Sequence, residues 1–233
     1  MNNCMDHKIF LSIGFKKIII FALNSKKQTL YKKETTTLNS SVFENLHILN
    51  HFLKENIFVL EKKLNKFINK INLILDHHDF FSIYLSVKNR SEIKILGIDQ
   101  INNLLFDSRN QVKKTLGENQ IIHMKILKFI IDGKDYFLFP EKTTSTDFSI
   151  EVEFICLPKI LIKNFKNIFI NYQILIDKVL CYNYINTFQS EFNDDFFTIA
   201  DDILNGLNQN EVFLINKSVK NKGIFEKFFN FFN

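Results

Sequence analysis

The stretch Lys8-Ile9-Phe10-Leu11-Ser12-Ile13-Gly14-Phe15-Lys16-Lys17-Ile18-Ile19-Ile20-Phe21-Ala22-Leu23 sets the fold class of this chain. β-branched and aromatic residues fill both arms, and one glycine separates them. That pattern predicts two strands, 8–13 and 16–23, turning at Gly14. Residues 28–34 have the same texture and predict a third strand, which makes an N-terminal meander.

Downstream the period changes from two to between three and four. Ser40 or Ser41 offers an N-cap, with Glu44 at capping-box distance from Ser41. Phe43, Leu46, Leu49, Leu53, Ile57, Leu60, Leu64 and Phe67 then keep one apolar face, predicting a long helix. Residues 71–75 predict a buried strand, and 80–87 with 92–96 predict a β pair. Asp99 is a candidate N-cap for a helix to about residue 116, with Gly117 just past its end. Three strand-like runs follow, 121–131, 136–139 and 148–157. The first two are joined by Asp132-Gly133, a hairpin signal. Pro158 suits the first turn of a helix over 159–171, and 174–180 returns as a strand. After about Thr187 the chain turns polar and acidic. A short helix is expected over 196–205, stopped by Gly206, and 208–221 reads as loose.

Composition narrows the function classes. The chain has 233 residues, 46% apolar and 24% charged, enough for one large or two small domains with a real core. The 27 Phe against 6 Tyr and no Trp, with abundant Ile, Asn and Lys, reads as genome composition bias. The net charge of +5 is mild and fits an ordinary surface. Three scattered cysteines, Cys4, Cys156 and Cys181, without a CxxC, argue against a disulfide framework and for a reducing cytoplasm. Residues 1–8 lack a signal-peptide layout. The longest apolar runs, 18–23 and 168–176, fall well short of the roughly 20 residues a spanning helix needs.

Several stretches resemble the bacterial cell-division family FtsA, membrane-tethered relatives of actin. Residues 8–14 resemble the family's opening strand with its Asp-x-Gly phosphate loop. Ile121-Ile122-His123-Met124-Lys125-Ile126 with Ile131-Asp132-Gly133 resembles its "ILH…Y.VDG" stretch. Pro140 sits where the family has Asn-Pro. Ile150-Glu151-Val152-Glu153-Phe154-Ile155 resembles its "LEV.VH.I" strand, and 196–204 its late "FATAAGLL" helix. The order strand–Gly–strand, long helix, then β–α–β–β insert also matches. The resemblance implies an α+β fold, namely a remnant of the first actin-like lobe with an inserted SHS2-type (1C) module. The expected domains are 1–78 for the lobe remnant, 79–187 for the SHS2/1C-like module, 188–222 for a polar linker with a short helix, and 223–233 for an amphipathic membrane-targeting helix. The second lobe would fall between about Thr187 and Phe196, where there is no room for it.

ATP hydrolysis is not expected. Actin-like proteins hold phosphates on backbone N–H groups of two glycine-containing hairpins, with an acidic residue in each loop placing the metal. Here the loop is degenerate: Ser12 replaces the aspartate, and Phe15 replaces the small hydroxyl residue after Gly14. The six glycines include no adjacent pair, and no second Asp-x-Gly-x-Gly, P-loop or GxGxxG occurs. No cofactor is expected. His77-His78-Asp79 could seed a metal site, but neighbours on a strand point to opposite faces. A surface loop is the simpler reading, and no metal is expected. Cys4-Met5-Asp6-His7 lies in a terminus of the kind that is usually disordered. His123 reads as a structural histidine, and Cys156 and Cys181 read as small hydrophobes. No Ser/His/Asp or Cys/His set emerges.

The last eleven residues resemble the family's membrane-targeting helix. At 3.6 residues per turn Ile224, Phe225, Phe228, Phe229 and Phe232 fall on one face, with Lys227 opposing and Lys217, Lys220 and Lys222 flanking. That composition suits an interfacial helix. Each buried Phe is worth about 2 kcal/mol, and each nearby Lys about 1 kcal/mol on anionic lipid. The alternative is packing on its own domain or on a partner. The implied role is a peripheral adaptor on the cytoplasmic face of the inner membrane that recruits later division proteins. FtsZ tethering is in doubt without the second lobe, and self-association stays open. The rival readings are a non-enzymatic interaction module of a pilus- or secretion-type assembly complex, an enzyme with an unseen site, and a nucleic-acid binder. Evenly spread basic residues count against the last, and no nucleic acid is expected.

Overall fold

The hairpin at Gly14 is the start of a five-stranded sheet in the computed structural model, which describes residues 7–37, 41–88, 97–140, 145, 147–192 and 194–212. Strands β1 (Lys8–Ile13) and β2 (Lys17–Leu23) pair antiparallel, from Lys8 opposite Leu23 to Ile13 opposite Ile18. Strand β3 (Thr29–Thr36) continues the meander on β2.

Helix α1 (Leu46–Leu64) starts later than its sequence signals suggest. Its cap is Asn45, whose side chain accepts from the His47 N–H at 3.2 Å. Ser41 instead closes the preceding turn, its hydroxyl accepting from Phe43 N–H at 3.2 Å; Ser40 lies outside the described residues. Leu49, Leu53, Ile57 and Leu60 are buried as the period predicts. Phe67 is 86% exposed, because Asn65 takes a left-handed φ of 50° and ends the helix before the apolar stripe reaches it.

Strand β4 (Lys70–Leu75) lies parallel to β1, Leu11 opposite Leu73. Next come β5 (Phe81–Lys88), α2 (Ile98–Thr115), β6 (Asn119–Ile131), β7 (Lys134–Tyr136) and β8 (Phe148–Pro158). The partner strand expected at 92–96 lies outside the described residues. The N-cap of α2 is Gly97, two residues before the expected Asp99, which lies inside the first turn; the Gly97 N–H donates to the Gln100 side chain at 2.8 Å. Gly117 takes the left-handed conformation expected past the helix end, φ 54°. The β6–β7 turn places Asp132 and Gly133 at φ 48° and 75°, a hairpin turn that needs such residues. Strand β7 ends at Tyr136, so 137–139 leave the expected strand.

The chain then forms α3 (Lys159–Ile170), capped by Pro158, and β9 (Leu175–Cys181), which runs parallel to β4. Helices α4 (Tyr182–Phe192) and α5 (Phe196–Leu204) follow. Helix α5 lies in the stretch expected as a polar linker with a short helix, 188–222, and α4 ends inside it. The acidic texture has a local cause: Asp195 caps α5, accepting from Phe197 and Thr198 N–H at 3.1 and 3.3 Å.

The result is a mixed α+β chain with two sheets and five helices among the described residues. The first sheet has the order β3-β2-β1-β4-β9, and the second β5-β8-β6-β7. Two compact units result. One combines Met1–Phe81 with Leu157–Leu207, the other Ser82–Cys156 with the residues from Asn208 on. The second unit is therefore an insertion in the chain of the first. Its continuous part runs from Ser82 to Cys156.

Within the first unit both faces of the sheet are covered. Phe197 of α5 stacks on Phe21 at 4.3 Å and lies 6.2 Å from Phe10, its neighbour across the pair. The next residue, Ala22, points to the other face. Its partner there is Tyr31, whose hydroxyl donates to Asn56 of α1 at 3.0 Å. Helix α1 is joined to the end of α3 by Tyr172, which donates to the Asn50 carbonyl at 2.9 Å. In the second unit one face is apolar. Leu104, Leu105 and Val112 of α2 pack with Met124, Phe148, Ile150, Val152 and Phe154.

Candidate functional site

The carboxyl ends of β1 and β4 lie side by side, the usual place for ligands in sheets with parallel strands. The degenerate loop sits there. Ser12 is 6% exposed and opposite Ile74, whereas Phe15 is 54% exposed. The Gly14 N–H donates to the Lys17 carbonyl at 2.8 Å, closing the turn. A phosphate cradle needs such N–H groups turned outward, and this one is spent on the hairpin. The Phe15 and Lys16 carbonyls accept from Val42 and Thr37 N–H at 3.0 and 2.8 Å, tying the turn down from outside.

Sequence reasoning missed Asp76. The first loop itself holds no acidic residue, but β4 brings one beside it. The Asp76 N–H donates to Ile13 O at 2.9 Å, and its Oδ2 lies 3.7 Å from where a Gly14 Cβ would sit. The signal was an aspartate ending an apolar strand; only the parallel pairing, which is non-local, gives it a place.

His77, His78 and Asp79 continue from Asp76 as a turn, not a strand. The alternation argument against a shared ligand therefore fails. The two rings stack at 4.4 Å, and one candidate ligand atom from each of the three residues lies within 4.8 Å of the others. Local bonding explains the cluster. His77 Nδ1 accepts from Asp79 N–H at 3.1 Å, and His78 Nε2 lies 3.1 Å from Asp79 Oδ1. The His77 side chain is 6% exposed and meets Phe43 edge-on at 4.4 Å. Burial pushes its pKa below the ordinary value against the pull of Asp79. One lone pair is thus committed to the backbone, and burial favours the neutral ring that a turn-closing acceptor requires.

The amino ends of the same strands border a cavity of about 400 Å³ lined by Lys8, Lys66, Lys70 and Lys178, among others. Two of these lysines are neutralised locally. Lys8 lies 2.5 Å from Asp201, and Lys70 3.4 Å from Asp177.

In the second unit the polar face of the sheet gathers around Glu153. Its carboxylate accepts from Lys125 at 2.6 Å, Ser82 at 2.7 Å and Tyr84 at 3.3 Å. Burial alone would raise its pKa, but these donors outweigh it and hold the carboxyl below its ordinary value. A carboxylate so stabilised is a weak base, so Ser82 is not an activated nucleophile. His123 and Glu211 form a second pair, 2.7 Å apart with both side chains almost fully buried. Around it Ile126 N–H donates to Asn210 O at 2.9 Å, and Val212 N–H to Met124 O at 2.8 Å. Residues 210–212, expected to be loose, thus lie antiparallel on β6. Cys156 and Cys181 are buried, and burial pushes the Cys156 thiol up to about 11. The membrane-binding candidates Ile224, Phe225, Lys227, Phe228, Phe229 and Phe232, and Cys4 with its neighbours, lie outside the described residues.

No protein-family model matches this chain, and no curated protein matches it. Solved structures do. The PilM-PilN type IV pilus biogenesis complex matches at 10% identity and TM-score 0.47, covering 79% of this chain and 50% of that one. The cytoplasmic domain of EpsL, an inner membrane component of the Vibrio cholerae type II secretion system, matches at 9% identity and TM-score 0.33, covering 76% and 56%. A Bacteroides thetaiotaomicron protein of unknown function with an actin-like ATPase fold matches at 15% identity and TM-score 0.29, covering 79% and 56%. This chain spans about half the length of these structures. No helix among the described residues is long and apolar enough to cross a membrane.

Proposed function

We propose that this chain is a non-hydrolysing adaptor of the FtsA type, which docks on the cytoplasmic face of the inner membrane and recruits later division proteins. The observation that carries the reading is the insertion. A five-stranded sheet is interrupted after β4 by a unit of order β5–α2–β6–β7–β8, and is resumed by α3 and β9. The strand–helix–strand–strand run at its start is the order that the resemblance implies for the SHS2-type module of a first actin-like lobe. Lack of hydrolysis is supported by Ser12 in the aspartate position and by the committed Gly14 N–H. Only residues 193–195 separate α4 from α5, which leaves no space for a second lobe at that point and argues against FtsZ tethering.

Two experiments test this reading. Titration calorimetry with ATP and Mg²⁺ is expected to give no heat of binding, with no phosphate released. Turnover of ATP would sink the non-enzymatic half. Cross-linking and pull-down from cells are expected to yield division proteins. Recovery of pilus or secretion components instead would move the same adaptor to the assembly-complex alternative.

A further inference from the structure

The second unit contains an apolar groove of about 340 Å³ between α2, the β6–β7 hairpin and residues 209–212. Ile101, Leu105, Phe129 and Phe139 form its floor, and Ile98 and Leu138 stand at its rim, 48% and 60% exposed. Its volume is at the small end of the range for ligand clefts, enough for a few large side chains. Large apolar side chains left to water at a concave site mark a surface that something covers.

One wall of the groove is the point from which the chain departs. Residues 210–212 are fixed there by the bonds to Met124 and Ile126, by Asn210, whose side-chain N–H donates to Phe137 O at 2.8 Å, and by the buried His123–Glu211 pair. Beyond Val212 the sequence continues for eleven residues to Gly223 and then reaches Ile224, Phe225, Phe228, Phe229 and Phe232, spaced to share one helical face. Eleven extended residues reach up to about 36–40 Å, so every part of the groove is within range.

We propose that this groove is the intramolecular docking site of the chain's own segment 224–232, with the phenylalanines entering between α2 and the hairpin. Tethering favours this occupant over a second copy. A link of eleven residues gives an effective concentration in about the millimolar range, which a free second copy reaches only in a millimolar solution. The same phenylalanines cannot contact lipid while buried in the groove. Membrane and groove therefore compete for them, a corollary that rests on the membrane half of the proposed function.

The test is hydrogen exchange of the full chain read by mass spectrometry. Three proteins are compared: the wild type, Phe225→Asp with Phe229→Asp, and the rim variant Leu138→Asp, whose exposed site spares the core. Amides of 98–105 and 126–129 are expected to exchange about tenfold faster in both variants than in the wild type. Amides of β1 and β4 are expected to be unchanged and serve as the folding control. Equal exchange in all three proteins overturns docking. Protection that grows over an about tenfold rise in protein concentration overturns the intramolecular form and assigns the groove to a second copy. Anionic vesicles separate the two readings. If vesicles bind the wild type yet its groove was never protected, docking fails and the membrane reading stands. If the groove is protected and no vesicle binds, the membrane reading fails and docking stands.

Discussion

In the first sheet β1 and β4 leave almost no side chain exposed on either face, whereas in the second sheet β5 alternates, with Ser82, Tyr84 and Ser86 outward and Ile83, Leu85 and Val87 inward. The difference follows from what covers each sheet. Helices α1 and α5 lie on opposite faces of the first, and so its strands read as nearly continuous Ile, Leu and Phe. Helix α2 covers one face of the second, and the other face is built from the Glu153 network. The first sheet is held by apolar contact on two sides, the second by apolar contact on one side and charged hydrogen bonds on the other.

The sharpest way to break that comparison is Phe197→Ala. It removes the ring stacked on Phe21, and a loss of about 3–5 kcal/mol is expected in chemical denaturation. Tyr84→Ala, on the outer face of the second sheet and 65% exposed, is expected to cost less than about 1 kcal/mol. Equal losses would mean that the first sheet is not packed from both sides.

Next in size is Glu153→Gln, which removes the negative charge paired with Lys125 at 2.6 Å. A loss of about 2 kcal/mol is expected at neutral pH. The sign with pH is definite. The carboxyl titrates below its ordinary value of 4.5 when folded, so its contribution is complete above that value and disappears as pH falls through the lower, folded value. The wild type should therefore lose its advantage over the variant in acid. An advantage that persisted at low pH would show that the network is not ionic.

His77 lies in the turn that follows β4 and gives a smaller effect of different origin. Its folded pKa lies below the ordinary 6.5, so the unfolded chain takes up the proton first on acidification. Stability is then highest above 6.5 and declines as pH drops through it. His77→Gln keeps an acceptor for the Asp79 N–H and is expected to flatten this decline in thermal melts. An unchanged slope would place the titrating group elsewhere.

The smallest pair compares the two hairpin turns. Gly133 has φ 75°, and Gly133→Ala is expected to cost about 1 kcal/mol. Gly14 is not in the left-handed region, and an added Cβ would meet its nearest atoms at an ordinary 3.7 Å. Gly14→Ala is expected to stay within about 0.5 kcal/mol. A larger loss at Gly14 would give that glycine a role its geometry does not require.

Much of this was readable in the residues because its causes are local. Asp132-Gly133 specifies its own turn, Gly117 its own helix end, and the Ile and Phe runs their own strands. The errors arise where distant partners decide. Ser41 and Glu44 look like a capping box, but Asn45 has the N–H within reach once the turn at 42–44 forms. Residues 208–212 carry no period of their own and become ordered by pairing with β6 and by the His123–Glu211 bond. Asp76 gains its place beside Gly14 only because β4 runs parallel to β1. His77 and His78 alternate only if their segment is a strand, and Asp79 turns it instead.

The insertion also has a consequence for the order in which the first sheet is completed. Leu75 ends β4, and Leu175, which starts β9, is about a hundred residues later. At a synthesis rate of about 5–20 residues per second, β4 waits about 5–20 s for its parallel neighbour to be made. During that time its far edge is an unpaired strand rich in Ile and Leu, the kind of edge that recruits other chains. Early folding of the inserted unit would shorten the effective loop that β9 must close and lower the entropy lost on closing it. The module that interrupts the sheet would then act, during birth of the chain, as the clasp that lets the sheet finish.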